Sequence, residues 1–171
     1  YGHKAIIVDT RKTTPGLRLL EKYAVRVGGG RNHRFGLYDA VRIKDNHISA
    51  AGGISQAVAR AREQIPHTMK IEVEVENIDQ VYEAIEAKAH IIMLDNMDLE
   101  KMTEAVKFIN GRALVEASGG IKLENVASVA ATGVDLISSG SLTNSAMPLD
   151  ISMSLSLIKN DSLGINGEKR K

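Results

Sequence analysis

The chain has 171 residues and 43% hydrophobic content, enough for one domain with a real core but short of the roughly 250 residues of a complete eight-stranded β/α barrel. A formal charge of +1 argues against bulk electrostatic binding of nucleic acid or membrane, and no apolar run approaches the roughly 20 residues of a membrane helix. Zero cysteines exclude a disulfide framework, a thiolate metal site and a cysteine nucleophile, which fits a cytoplasmic protein.

The elements alternate along the chain. Residues 5–8 read as a buried strand, and Pro15-Gly16 opens a helix with apolar Leu17, Leu20, Ala24 and Val27 at helical spacing. A glycine-rich loop spans 28–35. Strand 41–44 is followed by helix 54–65, strand 70–75 by helix 78–87, and strand 91–94 by helix 99–109. Strand 114–117 with helix 123–131 comes next, then strand 134–137. Repeated βα cycles imply a parallel sheet. Ile151, Met153, Leu155 and Leu157 alternate with serines, which predicts a seventh, half-buried strand. The division expected is an α/β domain over 1–158 and a polar, solubilising tail over 159–171.

Polar groups follow each of the first six strands, as expected where all strand ends share one face. A doubly wound sheet would gather them at one switch point. The fold class expected is therefore an open, incomplete parallel β/α barrel of about seven strands, similar to a TIM barrel.

The charge is unevenly spread. Residues 1–47 hold 10 Lys and Arg against 4 Asp and Glu, whereas the rest hold 12 against 17. Thr10, Arg11 and Lys12 follow the first strand, and Arg31, His33 and Arg34 follow three glycines. Lys44 ends an apolar strand, where a solvated charge is less expected than on a helix. These groups suit carboxylate or phosphate, although Thr14-Pro15 also reads as a helix cap and three glycines often make only a linker. Ser118, Gly119 and Gly120 come after one strand, directly before a helix, and Ser139, Gly140 and Ser141 after the next. Backbone N–H groups at such turns can cradle an anion, and β/α barrels commonly bind phosphate after their final strands; Ser-Gly pairs are also ordinary turns.

Glu72, Glu74 and Glu76 share one strand face by period two. Glu74 and Asp95 are candidate ligands for ribose hydroxyls or for hydrated Mg²⁺, which prefers carboxylates and substrate phosphate. No spacing supports zinc, and neither a Gly-x-Ser-x-Gly elbow nor a Walker loop occurs. The residues themselves lead as far as a phosphate-using barrel enzyme.

Seven ordered motifs add a resemblance: Asp-Thr-Arg-Lys-Thr-Thr-Pro-Gly-Leu-Arg (9–18), Gly-Gly-Gly-Arg-Asn-His-Arg (28–34), Ile-Lys-Asp-Asn-His (43–47), Glu-Val-Glu-Val (72–75), Met-Leu-Asp-Asn (93–96), Ser-Gly-Gly-Ile (118–121) and Gly-Val-Asp-Leu-Ile-Ser-Ser-Gly (133–140). Over residues 1 to about 157 the chain resembles the quinolinate phosphoribosyltransferases, the carboxylating nicotinate-nucleotide pyrophosphorylases of NAD biosynthesis. The resemblance implies an open seven-stranded barrel. It also implies transfer of phosphoribose from phosphoribosyl pyrophosphate to quinolinate, with Mg²⁺, giving nicotinate mononucleotide, pyrophosphate and CO₂. Arg11, Lys12, His33, Arg34 and Lys44 would face the quinolinate carboxylates and pyrophosphate, with Thr10 beside them. Glu74 and Asp95 would hold the ribose hydroxyls, directly or through the metal, so that Lys44, Glu74 and Asp95 are the catalytic candidates. The two Ser-Gly turns would hold the 5′-phosphate.

Members of the family also have an N-terminal α/β domain that contributes to a homodimer or higher assembly, and nothing in these residues resembles it. The chain is therefore expected to be the isolated barrel portion. The alternatives are a non-catalytic ligand-binding or oligomerisation module of the same fold, or the paralogue associated with molybdate transport; Ile-Lys-Asp-Asn-His favours the quinolinate enzyme over the latter.

Overall fold

The computed structural model describes residues 4–156. Its elements are β1 (Ile6–Val8), α1 (Arg18–Val27), β2 (Val41–Ile43), α2 (Asp45–Ala51), α3 (Ile54–Gln64), β3 (Ile71–Val75), α4 (Ile78–Glu86), β4 (Ile91–Asp95), α5 (Leu99–Ile109), β5 (Leu114–Ser118), α6 (Val126–Ala131), β6 (Leu136–Ser138) and α7 (Ser141–Asn144). All six strands pair in parallel in one sheet, in the order β1-β6-β5-β4-β3-β2. Because the first strand pairs with the last, the sheet wraps as a barrel does, and it stays open between β1 and β2.

The strands carry two different faces. Ile71, Val73, Val75, Ile92, Leu94, Val115, Ala117 and Ile137 pack against Ile54, Val58, Val81, Met102 and Ile109 of the surrounding helices. Burying such side chains stabilises by about 1.5–3 kcal/mol each. The opposite face is polar inside the barrel: register places Arg42 beside Glu72, both Glu74 and Glu116 beside Met93, and Asp95 beside Ser118. Two helix starts are fixed by side chains, Asn77 accepting from the backbone N–H of Gln80 and Asp98 from that of Lys101. Among the described residues, no helix is long and apolar enough to cross a membrane.

Four expectations need correction. No seventh strand forms among the described residues: Ile151, Met153 and Leu155 are exposed and outside any strand, and Leu157 lies beyond what is described, as do 159–171. An alternating pattern becomes a strand only by pairing with a sheet edge, and residues 151–156 pair with neither; the outer edge of β1 is held by Arg31. Arg31 donates its N–H to the carbonyl of Ile7 and accepts from the N–H of Asp9. Second, the stripe on α1 faces outward, with Leu17, Leu20, Ala24 and Val27 exposed and Lys22 buried. Polar side chains hold this helix instead: Lys22 reaches Asp9, and Arg18 reaches Thr13 and the carbonyls of Arg11 and Phe35. Third, Lys44 is the residue before α2 rather than the last of a strand. Fourth, Ser118-Gly119-Gly120 does not lead directly into a helix, since α6 starts at Val126; it is Ser139-Gly140 that runs straight into α7.

Candidate active site

The C-terminal ends of all six strands open onto one cavity of about 710 Å³. Thr10, Arg11 and Lys12 reach it from beyond β1, and His33 and Arg34 from the loop that pairs with β1. Lys44 follows β2, Glu74 is on β3 and Asp95 ends β4. Ser118, Gly119 and Gly120 come from the end of β5, and Ser139, Gly140 and Ser141 from beyond β6. The structure thus gathers these residues around the same space, with Arg42 and Asn96 added, whereas Arg31, Glu72 and Glu76 do not line it.

The cations crowd one another. Arg34 is pushed below the usual arginine range by burial, then by Arg42 and Arg11, against the opposing pull of Glu72 and Asp39. The buried Nε of Arg11 has no hydrogen-bond partner. A group of guanidinium donors held together without enough acceptors is a ready receiver for anions. Lys44 Nζ lies 3.4 Å from Glu74 Oε2, which links the cationic side to the carboxylate side.

The two Ser-Gly turns are tightly built. Gly119 has φ +89° and lies against Asn96; a Cβ there would also meet the Asn96 backbone nitrogen at 2.9 Å. That nitrogen donates to the carbonyl of Ser118, joining the ends of β4 and β5. Ser139 Oγ and Ser141 Oγ are 2.7 Å apart, and Thr143 Oγ1 donates to the carbonyl of Lys12 at 2.7 Å, so the turn after β6 is tied to the segment after β1.

Beneath these groups lies a buried polar layer. Asp9, fully buried, accepts from Lys22 Nζ at 2.6 Å, Asn32 Nδ2 at 2.6 Å and the His33 backbone N–H at 2.7 Å. It fixes the loop that carries His33 and Arg34. Arg42 donates to Glu72 from Nε at 2.9 Å and Nη2 at 3.1 Å. Burial alone would raise Glu72, but the hydrogen bond with His33 and the charge and hydrogen bonds of Arg42 hold it down at about 2. His33, Glu72 and Glu116 have ligand-type atoms within 4.8 Å of one another. A metal does not suit this group, because the Arg42 guanidinium already supplies its positive charge: it pairs with Glu72 and lies 2.6 Å from His33 Nε2.

Asp9, Lys22, Arg42, Glu72 and Glu116 were not among the residues expected in the site. For two of them the signal existed, since Arg42 shares a strand face with position 44 and Glu72 with Glu74. Nothing local marks Lys22, which follows Glu21 on an amphipathic helix and becomes buried through Asp9.

The geometry is that of an open parallel β/α barrel with its polar groups gathered at one end, and comparison with known proteins decides the family. The family model described as quinolinate phosphoribosyl transferase, C-terminal domain, matches residues 1–154. The chain belongs to the quinolinate phosphoribosyltransferase family. It is 54% identical over 151 residues to the probable carboxylating nicotinate-nucleotide pyrophosphorylase of Bacillus subtilis, covering 88% of this chain and 52% of the relative. It is 48% identical over 172 residues to a decarboxylating quinolinate phosphoribosyltransferase of Nicotiana tabacum, covering 90% and 49%. Among solved structures, NadC from Streptococcus pyogenes superposes with a TM-score of 0.85 at 51% identity, covering 88% of this chain and 53% of that one. A thiamine phosphate pyrophosphorylase from Pyrococcus furiosus, at 19% identity and a TM-score of 0.50, shares the fold alone. This member of the quinolinate phosphoribosyltransferase family spans about half the length of the curated relatives it matches.

Proposed function

We propose that this chain provides the site at which phosphoribose passes from phosphoribosyl pyrophosphate to the ring nitrogen of quinolinate, giving nicotinate mononucleotide, pyrophosphate and CO₂ for NAD synthesis. The observation that carries this reading is the divided cavity. Arg11, Lys12, Arg34 and Lys44 stand on one side, Glu74 and Asp95 on another, and the turns at Ser118–Gly120 and Ser139–Ser141 close it. A substrate pair bearing two ring carboxylates, a pyrophosphate and a 5′-phosphate matches that division. A cytoplasmic setting accords with the cysteine-free sequence. The exposed Leu19, Leu20, Tyr23 and Val27 on α1 accord with a homodimer or higher assembly.

The chain's own residues suffice for the outline of the chemistry. Arg34 and Lys44 orient the quinolinate carboxylates, with His33 holding the layer beneath them, while Arg11 and Lys12, with Thr10 beside them, meet the charge that grows on departing pyrophosphate. Glu74 and Asp95 lie where a developing oxocarbenium charge at the ribose carbon needs negative partners, and backbone N–H groups of the two turns hold the 5′-phosphate. Once the ring nitrogen is ribosylated, its positive charge stabilises the electron pair left when CO₂ departs from the adjacent carbon. That carbon then takes a proton from solvent, and because the ring nitrogen attacks with its lone pair and loses no proton, no general base is required. Glu74 and Asp95 are hard oxygen donors on one cavity wall and fit Mg²⁺, which when bound supplies charge neutralisation to the pyrophosphate.

Titration calorimetry with quinolinate tests the reading. One saturable site is expected, and Arg34→Ala or Lys44→Ala should each weaken it by about 10- to 100-fold, the loss of a charged hydrogen bond. Unchanged affinity would remove that residue from the pocket. Asp95→Asn is expected to lower turnover on the order of 100-fold with little change in quinolinate affinity; full activity would show that the carboxylate serves only its strand end.

The chain's length, about half that of its relatives, keeps a second reading in play, a module that binds these ligands without turning them over. Quinolinate binding without formation of nicotinate mononucleotide would favour it.

A further inference from the structure

The buried layer below the pocket leaves one carboxyl oxygen without a partner. Glu116 is 1% exposed, and its register partners Met93 on β4 and Leu136 on β6 are apolar. The charged and titratable groups that face it come from other elements. They are Glu72 on β3, Arg42 on β2 with Nη2 3.7 Å from its Oε1, and His33 from the loop after α1 with Nε2 3.6 Å from its Oε2. Ser138 on β6 is a further polar neighbour. Arg42 is already committed to Glu72 through two hydrogen bonds.

His33 is not committed to Glu116. Its Nδ1 accepts the Arg34 backbone N–H at 2.7 Å, and its Nε2 stands 2.6 Å from the Arg42 guanidinium and 3.3 Å from Glu72 Oε2, both nearer than Glu116. The nearby lysines are engaged elsewhere, Lys22 with Asp9 and Lys44 with Glu74. Glu72 thus takes the hydrogen bonds of the guanidinium and the nearer side of the ring, and Glu116 Oε1 has no hydrogen-bond partner.

We infer that Glu116 is a positioning residue that carries a proton, keeping a stray negative charge out of the floor under the pocket so that a multiply charged anion can settle among the cations above it. The unpartnered carboxyl is this chain's geometry, while the identity of the anion as quinolinate rests on the proposed function. An ionised Glu116 would place a negative charge with no hydrogen-bonded partner on Oε1 beside Glu72 in a poorly screened interior. Burial, then the charge of Glu72, push Glu116 up to about 7, over the opposing pull of His33, Ser138 and Arg42. An anion above it favours the protonated form still more. Binding above that pH therefore takes up a proton and weakens as the pH rises.

Carboxyl-¹³C NMR of the unsubstituted protein, labelled at glutamate, follows this group directly. One glutamate is expected to titrate near pH 7, and at higher pH once quinolinate is added. Sulfate, a dianion that does not titrate in this range, should move it the same way. Calorimetry at about pH 8, in buffers of contrasting ionisation enthalpy, should show quinolinate binding with uptake of a large fraction of a proton. Glu116→Gln should bind without that uptake, and its affinity should no longer fall by up to about 10-fold per pH unit. Glutamates that all titrate in the ordinary carboxylate range, or equal uptake in Glu116→Gln, would overturn the inference. If quinolinate fails to bind while sulfate still shifts the glutamate, the proposed substrate is wrong and the protonated floor stands.

Discussion

Lys22→Met is expected to lower stability by about 3–5 kcal/mol, the range for breaking a buried ion pair by removing one partner. Methionine fills much of the lysine's volume, so the loss would not come from a cavity. It would come from Asp9, which is fully buried and would lose its only cationic partner among the described residues, at 2.6 Å, while keeping the N–H groups of Asn32 and His33. The double variant Lys22→Met with Asp9→Asn should recover part of the loss, because it removes the stranded charge. Urea unfolding of the wild type and both variants checks this. A cost below about 1 kcal/mol in the single variant would mean that Asp9 finds solvent or another cation. The consequence extends to the pocket, since Asp9 also fixes the backbone of His33 and, beside it, Arg34.

The second large effect is expected at Gly119. Its φ of +89° is a conformation that side chains rarely adopt, and the space a Cβ would need is held by Asn96, including its backbone nitrogen. Gly119→Ala should therefore cost on the order of 2–4 kcal/mol, from left-handed strain and overpacking together. It should also weaken binding of inorganic phosphate or phosphoribosyl pyrophosphate, because relief of the clash pushes the ends of β4 and β5 apart. Gly120→Ala has a positive φ but nothing within 4 Å of the added carbon, so it isolates the backbone strain from the clash. Thermal denaturation of the two variants should separate them, with Gly119→Ala the lower. Equal melting temperatures would argue that Asn96 moves aside freely.

The local elements were legible because the signals that specify them are local. The β-branched run at 71–75 becomes β3, and helix 99–109 keeps its expected bounds because Asp98 caps one end and Asn110, at φ 44°, turns the other. The helix α2 was hidden behind Lys44-Asp45-Asn46-His47, which reads equally well as a polar strand end; its start is held by the Lys44 backbone N–H, which donates to the ring Nδ1 of His47 at 3.0 Å. Alternation at 151–157 suggested a strand, but pairing needs an edge, and Arg31 occupies the one beside β1. In the site, the residues after each strand could be listed because every barrel strand ends on the same face. Depth could not be read that way. Glu72, Glu74 and Glu76 look alike in the sequence, yet they pass from buried floor through pocket wall to open surface. Only the register of β2 against β3 shows that Arg42 stands beside Glu72, and only the barrel's closure brings Glu116 and His33 to the same pair.

Carboxyl-labelled quinolinate offers the most direct test of the phosphoribosyl-transfer assignment. With label in the carboxylate next to the ring nitrogen, the chain incubated with phosphoribosyl pyrophosphate and Mg²⁺ is predicted to release labelled CO₂ and form nicotinate mononucleotide in equal amounts. Neither should appear when phosphoribosyl pyrophosphate is omitted. Bound quinolinate that yields neither product under the complete conditions would contradict the assignment.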